Sequence, residues 1–371
     1  YLTGATAADL GEDFSGNGHD FTSSGLAADD QVPDSPTLNF ATLNAVSNGG
    51  NITLQDGNLL AVGVSNWDSV FATISMGKTG KWYFETRMDV ETGSNGFISA
   101  IHETKDQSRV WSNYIGNTTA TYGLGYSLYT DGDGYYTNGS QTAITGYSSA
   151  PVAGDIIMCA VDLDNNKIWW GLNGTWFNSG DPAGGSGESA AIQADTDYTF
   201  GVSTSASEDY FVNFGADSTF GGDTAAGGNS DGGGIGDFKY AVPSGFLCLC
   251  TSNLPTPVIT DGSTNFNIVL YTGTGNVTRS VTGVGFQPDL VYNKQRNNTS
   301  ANVIANAVSG VNTFMATDQT TAESSFTNSI YGYLSSFDSD GYTLTPGATN
   351  NNYWNENAKN FVSYNWLAGN G

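Results

Sequence analysis

Lysine, arginine, histidine and cysteine are all scarce in this chain. Eleven Lys and Arg are spread over 371 residues against 36 Asp and Glu, for a formal net charge of −25. A protein that grips nucleic acid must neutralise phosphates with clustered cations, so neither nucleic-acid binding nor docking on an anionic membrane is expected. An acidic surface suits a protein exposed to salt-rich water, where screening limits self-repulsion. His19 and His102 are the only histidines and no CxxC pair occurs, so a zinc site of the His/Cys type is excluded. Three cysteines build no disulfide framework. Cys248 and Cys250 stand two apart in a strand-like run, poorly placed to bridge. Cys159 sits inside the apolar run Ile156–Val161 as a small hydrophobe. No apolar run approaches the ~18 residues that span a bilayer. No signal-peptide pattern opens the chain, and a start at Tyr1 rather than Met leads us to expect an upstream segment. GxSxG, Walker and dinucleotide motifs are missing. No helical pattern exceeds a turn or two; the best candidate is the alanine-bearing Thr299–Ser309.

Glycine and aromatics are plentiful. There are 49 Gly, and aromatics make up 12% while charged residues make up only 13%. Disordered chains have few aromatics and dense charge. This balance instead describes short strands, aromatic cores and tight Gly/Asn/Asp turns. At 371 residues the chain is long enough for two or three domains.

Four textures follow one another. Residues 1–60 form a Gly/Asn-rich extension expected to pack on the domain that follows. Residues 61–216 hold the densest aromatic alternation. Residues 217–236, including FGGDTAAGGNSDGGGIG from Phe220, read as a linker or long loop, because so many glycines are costly to order. Residues 237–371 return to strand texture as a second β-domain. Within Lys81–Glu91 the even positions Trp82, Phe84, Met88 and Val90 are apolar and most odd positions polar, which is a strand with one face in the core and one in water. Ile156–Val161 is apolar on both faces and predicts a central strand. A turn at Asp164–Lys167, a return strand Ile168–Leu172 and an Asn173-Gly174 hairpin of type I′ come next. Tyr198–Ser203 and Tyr210–Phe214 complete a set of strands whose spacing predicts an antiparallel β-sandwich.

Three segments in this stretch carry a resemblance. They are Gly80-Lys81-Trp82-Tyr83-Phe84-Glu85, Gly154-Asp155-Ile156-Ile157, and Val161–Phe177 (VDLDNNKIWWGLNGTWF). In this order they resemble the SPRY domain over about 61–216. The resemblance implies a concanavalin-like, lectin-like β-sandwich that binds partners through loops at one end. The flanks resemble structural proteins of tailed bacteriophages. They are Asp13–Phe21 (DFSGNGHDF), Asp34–Asn44 (DSPTLNFATLN), Tyr240–Pro255, Gly285–Val291 and Ser336–Tyr342. They imply a virion-surface, hence extracellular, protein: a tail fibre or spike, or a capsid fibre or decoration. Implied partners are other virion proteins and a host-surface glycan or protein. The implied state is a homo-oligomer, with a trimer the guess natural to a fibre.

Candidate sites follow from residue chemistry. Loop-placed aromatics are the leading ligand-binding set: Trp111, Tyr114, Tyr129, Tyr135, Tyr136, Tyr147 and Trp176. Sugar rings stack their C–H faces on such side chains, with Asp and Asn bonding at the rim. The same rings could equally plug the sandwich or meet a neighbouring subunit. No catalytic residue is assigned and the chain is read as a non-enzyme. The rival reading is a glycan depolymerase that uses Glu85 or Asp89 with Glu91. Retaining chemistry needs carboxyls ~5–5.5 Å apart, and Arg87 interrupts this run. No cofactor is required. Asp131-Gly132-Asp133-Gly134 looks like a calcium loop, but the EF-hand pattern needs Glu where Thr142 stands. That leaves a hairpin turn, with a surface calcium site from Asp131, Asp133 and loop carbonyls still open. A third reading is an architectural cementing protein without a ligand.

Overall fold

The computed structural model describes residues 11–13, 15–24, 34–35, 37–91, 96–117, 123–205, 208–256, 259–320, 322–323, 328–348 and 353–368. The chain is all-β and divides into two compact units, Tyr1–Pro255 and Thr256–Gly371. Among the described residues no helix is long and apolar enough to cross a membrane.

The strands of the first unit run in chain order. The early ones are β1 (Ile52–Gln55), β2 (Leu60–Gly63), β3 (Asp68–Phe71), β4 (Lys81–Glu91) and β5 (Phe97–Glu103). Then come β6 (Gly125–Tyr129), β7 (Gly134–Thr137), β8 (Ser140–Ala143), β9 (Ile156–Asp162) and β10 (Lys167–Leu172). The last are β11 (Thr175–Trp176), β12 (Ala190–Ala191), β13 (Tyr198–Thr204), β14 (Glu208–Asn213) and β15 (Leu247–Cys248). One sheet has the order β1-β2-β14-β4-β9-β10-β11, with β12 beside β10, and the other β3-β13-β5-β6-β7-β8. The pairs are antiparallel except β15, which runs parallel to β4 at Trp82 and Tyr83, beyond the point where β14 stops. The two sheets pack face to face, as in a sandwich.

The alternation in β4 explains the interior. Trp82, Phe84 and Met88 are buried, and the Phe84 ring meets Phe200 of the opposite sheet edge-on at 4.4 Å. β9 is buried along its whole length between β4 and β10, as its two-sided apolar run requires. Asn173 and Gly174 both take positive φ, the condition a type I′ turn imposes. Residues 40–55, expected as an extension packed on the sandwich, also contribute to it directly: Phe40, Ala41 and Leu43 are buried, and β1 is an edge strand.

Two expectations need correction. The odd face of β4 is not in water, because Tyr83 and Glu85 are fully buried. The cover is Phe238–Tyr240, just after the Gly-rich stretch. Of the two readings of that stretch the long loop holds and the linker does not, because it packs with the first unit and the boundary falls at Pro255, not before residue 237. Phe220, Phe238 and Phe246 are fully buried anchors, and Phe238 meets Tyr83 edge-on at 5.0 Å. Acidic side chains order the glycines between these anchors. Asp231 accepts from Gly233 N–H at 2.8 Å, Ile235 N–H at 3.0 Å and Cys248 N–H at 3.2 Å. Asp237 accepts from Gly228 N–H at 3.0 Å and the Ser218 hydroxyl at 2.7 Å. Apolar anchors and saturated acceptors offset the entropy that glycine loses on ordering.

The second unit contains β16 (Phe266–Thr272), β17 (Arg279–Thr282), β18 (Leu290–Gln295), β19 (Val303–Asn306), β20 (Met315–Ala316), β21 (Tyr333–Asp338), β22 (Gly341–Thr345) and β23 (Asn360–Trp366). A five-stranded sheet, β16-β23-β18-β19-β20, and a three-stranded sheet, β17-β22-β21, enclose Tyr271, Phe314, Tyr342, Trp354 and Phe361. The helix considered over Thr299–Ser309 is a strand, β19. Val303 and Ala305 face the core while Ile304 and Asn306 are half-buried, so period two overrides the helix propensity of alanine.

Glu85 ties the cover to the sheet. Its carboxylate accepts from Tyr83 Oη, Lys239 N–H and Tyr240 N–H, each at 2.8 Å. Burial pushes its carboxyl up to about 7, against the lowering effect of those two N–H groups. The folded chain therefore holds this proton more tightly than the unfolded chain. The associated stabilisation is complete below about 4.5, the ordinary value, and is lost as pH rises through about 7. Glu85→Gln should remove this term. The stability difference between wild type and variant, from urea unfolding at about pH 5 and about pH 8, should change by up to ~3 kcal/mol. An unchanged difference refutes the assignment. Phe84→Ala, by contrast, should cost ~3–5 kcal/mol at either pH.

Candidate functional site

The outer face of the second sheet carries the chemistry that the sequence placed on loops. A 3₁₀ segment, Thr104–Val110, and the loop after it lie across this face. Val110 and Ile115 bury there with Phe71 and Ala100. Glycines make the room: a Cβ on Gly201 would stand 2.8 Å from the Phe71 ring and 2.7 Å from Ile115 Cδ1, and one on Gly125 2.7 Å from Ile115 Cγ2. Three strands then hold the loop. Ser69 of β3 donates its hydroxyl to Asn113 O at 2.8 Å, Ser203 of β13 accepts from Ile115 N–H at 2.9 Å, and Ser127 of β6 donates to Ile115 O.

This clamp stands Tyr114 on the sheet as part of a ring cluster. Phe97, buried at the start of β5, is its centre. Tyr114 stacks on Phe97 at 4.4 Å with the planes 10° apart. Tyr136 of β7 meets Phe97 edge-on at 5.4 Å and lies 5.2 Å from Tyr129 of β6. Trp67, just before β3, completes the cluster at 5.5 Å from Phe97 and 5.4 Å from Tyr114. Trp67, Tyr114, Tyr129 and Tyr136 are each half-buried, so every ring keeps part of its surface for a ligand. Burial raises Tyr114 and Tyr129, with Tyr136 and Asp131 adding to the effect respectively. Both hydroxyls stay protonated and neutral. The rim is polar: Tyr136 Oη reaches Gln141 Oε1 at 3.5 Å, and Gln141 Nε2 donates to Asp131 at 2.6 Å.

The sequence-derived set divides here. Tyr114, Tyr129 and Tyr136 come together. Trp111 lies at the start of the same loop, 36% exposed. Tyr135 and Tyr147 are buried: Tyr135 lies 5.7 Å from Trp170 in the interior, and Tyr147 donates its hydroxyl to Tyr129 O at 2.5 Å. These two are core residues, because in a hairpin of period two one ring of the Tyr135-Tyr136 pair must face inward. Trp176 belongs to the other sheet, edge-on to Tyr83 at 6.4 Å. Sequence reasoning missed Trp67 and Phe97. Trp67 lies among Ser, Asn and Asp residues just before a four-residue strand, and that setting is the signal that could have flagged it.

Neither Glu85 nor Asp89 stands as an unpaired, open carboxylate. Glu85 is enclosed under the strap of residues 215–250. Asp89 is ion-paired with Arg87, which also reaches Asp223 at 2.7 Å. A bulge at Asp89 breaks the alternation that would have set Glu85, Asp89 and Glu91 on one face. The side chain of Glu91 and the turn expected at residues 92–95 lie outside the described residues. Both oxygens of Asp131 accept hydrogen bonds, from Asp133 N–H at 2.9 Å and from Gln141. Among the described residues no three His, Cys, Asp or Glu side chains converge as metal ligands.

Comparison with known proteins adds three findings. Residues 261–371, within the second unit, match a family described as a domain of unknown function (DUF7483). No curated protein matches the chain. Among solved structures the chain is similar to the SPRY domain of human HERC1, at 17% identity and a TM-score of 0.33, covering 46% of this chain and 96% of that one. It is also similar to the PSpry domain of TRIM65, at 12% identity and a TM-score of 0.34, covering 47% of this chain and 92% of that one.

Proposed function

We propose that the chain is a non-enzymatic surface protein of a bacteriophage particle, a tail fibre or spike or a capsid fibre or decoration. In this reading its first unit binds host-surface glycan on the ring cluster. One observation carries the binding role: four half-buried rings surround Phe97, and Tyr114, the one on a loop, is fixed there because three strands clamp that loop to the sheet. Partly exposed rings present apolar area to the C–H faces of sugars, and Gln141 and Asp131 stand at their rim as hydrogen-bonding groups. A fixed loop loses little entropy when a ligand arrives. The particle assignment rests on the ordered flanking segments that resemble phage structural proteins. The enclosure of Glu85 supports binding without turnover, since that carboxylate has no path to a glycosidic bond.

Binding of the full chain to polysaccharide from candidate host cells, measured by calorimetry, tests this reading. Trp67→Ala and Tyr136→Ala should each weaken binding at least about tenfold, or ~1.4 kcal/mol. Trp176→Ala, on the other sheet, should leave it unchanged. Binding that survives loss of both rings sinks the site. Release of reducing ends that disappears in Glu91→Gln would favour the depolymerase instead.

A further inference from the structure

The five-stranded sheet of the second unit has two unlike faces. One covers the core around Tyr271 and Phe361. On the other, register aligns Ile268, Tyr364, Tyr292, Ile304 and Met315 into one row across all five strands. Phe266 and Trp366 extend this row on one side and Leu270 on the other. Leu270 is 60% exposed, Ile268 46%, Met315 39% and Trp366 37%, so this is open surface rather than core. The rings lie against one another, with Phe266–Trp366 centroids at 5.1 Å and Tyr292–Tyr364 at 5.8 Å. Contiguous exposed apolar area of this kind marks an interaction surface.

We infer that this face is where the chain associates with a second copy of itself, face on face. Two observations select that occupant. The rings are interleaved with Ile268, Leu270, Ile304 and Met315, aliphatic side chains that offer a sugar no hydrogen bond but pack well against another apolar protein face. The face also carries no carboxylate: Lys294 is the one charged side chain that the described strands place on it. Two chains with 25 excess negative charges each repel across most of their surface. An acid-free apolar face lets them meet without opposing carboxylates, and a two-fold pairing presents it to its own copy.

Sedimentation of the full chain over a dilution series down to about 1 μM tests this. The expected result is reversible self-association that persists or tightens in about 1 M salt, as screening removes repulsion. Ile268→Glu and Met315→Glu should each weaken it at least about tenfold. Both side chains are exposed, so the thermal unfolding midpoint of the dissociated chain should stay close to wild type. A wild-type chain that remains monomeric overturns the proposal and leaves the face to another protein or to the chain's own first unit. Assembly that both variants retain in full, or that salt dissolves, overturns it as well.

Discussion

From Trp82 to Thr86 strand β4 is buried on both faces, and much of the first unit follows from that constraint. Its even residues are rings and apolar side chains that need a second sheet above them. Its odd residues, Tyr83 and Glu85, are just as completely buried and need a second cover below. A carboxylate in that position is costly unless its oxygens are bonded. The backbone N–H groups of Lys239 and Tyr240 supply the bonds, so the strap is fixed in register on the sheet by the group that would be most harmful without it. The glycine-rich residues between the anchors can then follow whatever path the anchors dictate.

The second sheet meets the same requirement with a different device. Its outer face would expose Phe71 and Ala100, and the loop carrying Val110 and Ile115 covers them. The cover is incomplete toward Phe97, and there the surrounding rings stop half-buried. Rigidity and exposure therefore occur at one place for one reason: the loop is pinned by serines of three strands, while the aromatics beside it are too many to bury under so short a segment. A surface built this way is pre-organised, as a recognition site benefits from being.

The sandwich was legible because its signals are local. The apolar even positions of β4 as far as Met88, the two-sided apolar run of β9 and the Asn173-Gly174 turn each report one strand or one hairpin and agree with the structure, whereas the water-facing odd side expected of β4 does not, and Val90 lies exposed beyond the bulge. The strap was not legible, because glycine content speaks of entropy lost on ordering and is silent about the anchors that offset it. Phe220, Phe238 and Phe246 were visible in the sequence, but nothing local says that they meet Phe211, Tyr83 and Trp169 respectively. The candidate site was legible in half. Tyr114, Tyr129 and Tyr136 come together in the ring cluster, while Tyr135 and Tyr147 lie in the core, since turn-flanking aromatics look alike until the sheet face is known. Trp67 joins the cluster through contacts with Phe97 and Tyr114, dozens of residues away, which no window along the chain can reveal.

Charge separates the two units as sharply as topology does. Only seven of the 36 acidic residues and four of the eleven basic ones fall in Thr256–Gly371, so the first unit carries nearly all of the net charge. Repulsion between copies is then concentrated where the ring cluster lies, and is weak where the open sheet face lies. The two aromatic surfaces differ accordingly. Around Phe97 the rings are bordered by Gln141 and Asp131, groups suited to a polar, uncharged ligand. Around Tyr364 they are bordered by Ile268, Leu270, Ile304 and Met315, suited to another apolar protein face. Most of the carboxylates thus sit on one unit and the open apolar face on the other, an arrangement that would let copies repel through the first and, on the proposal above, meet through the second.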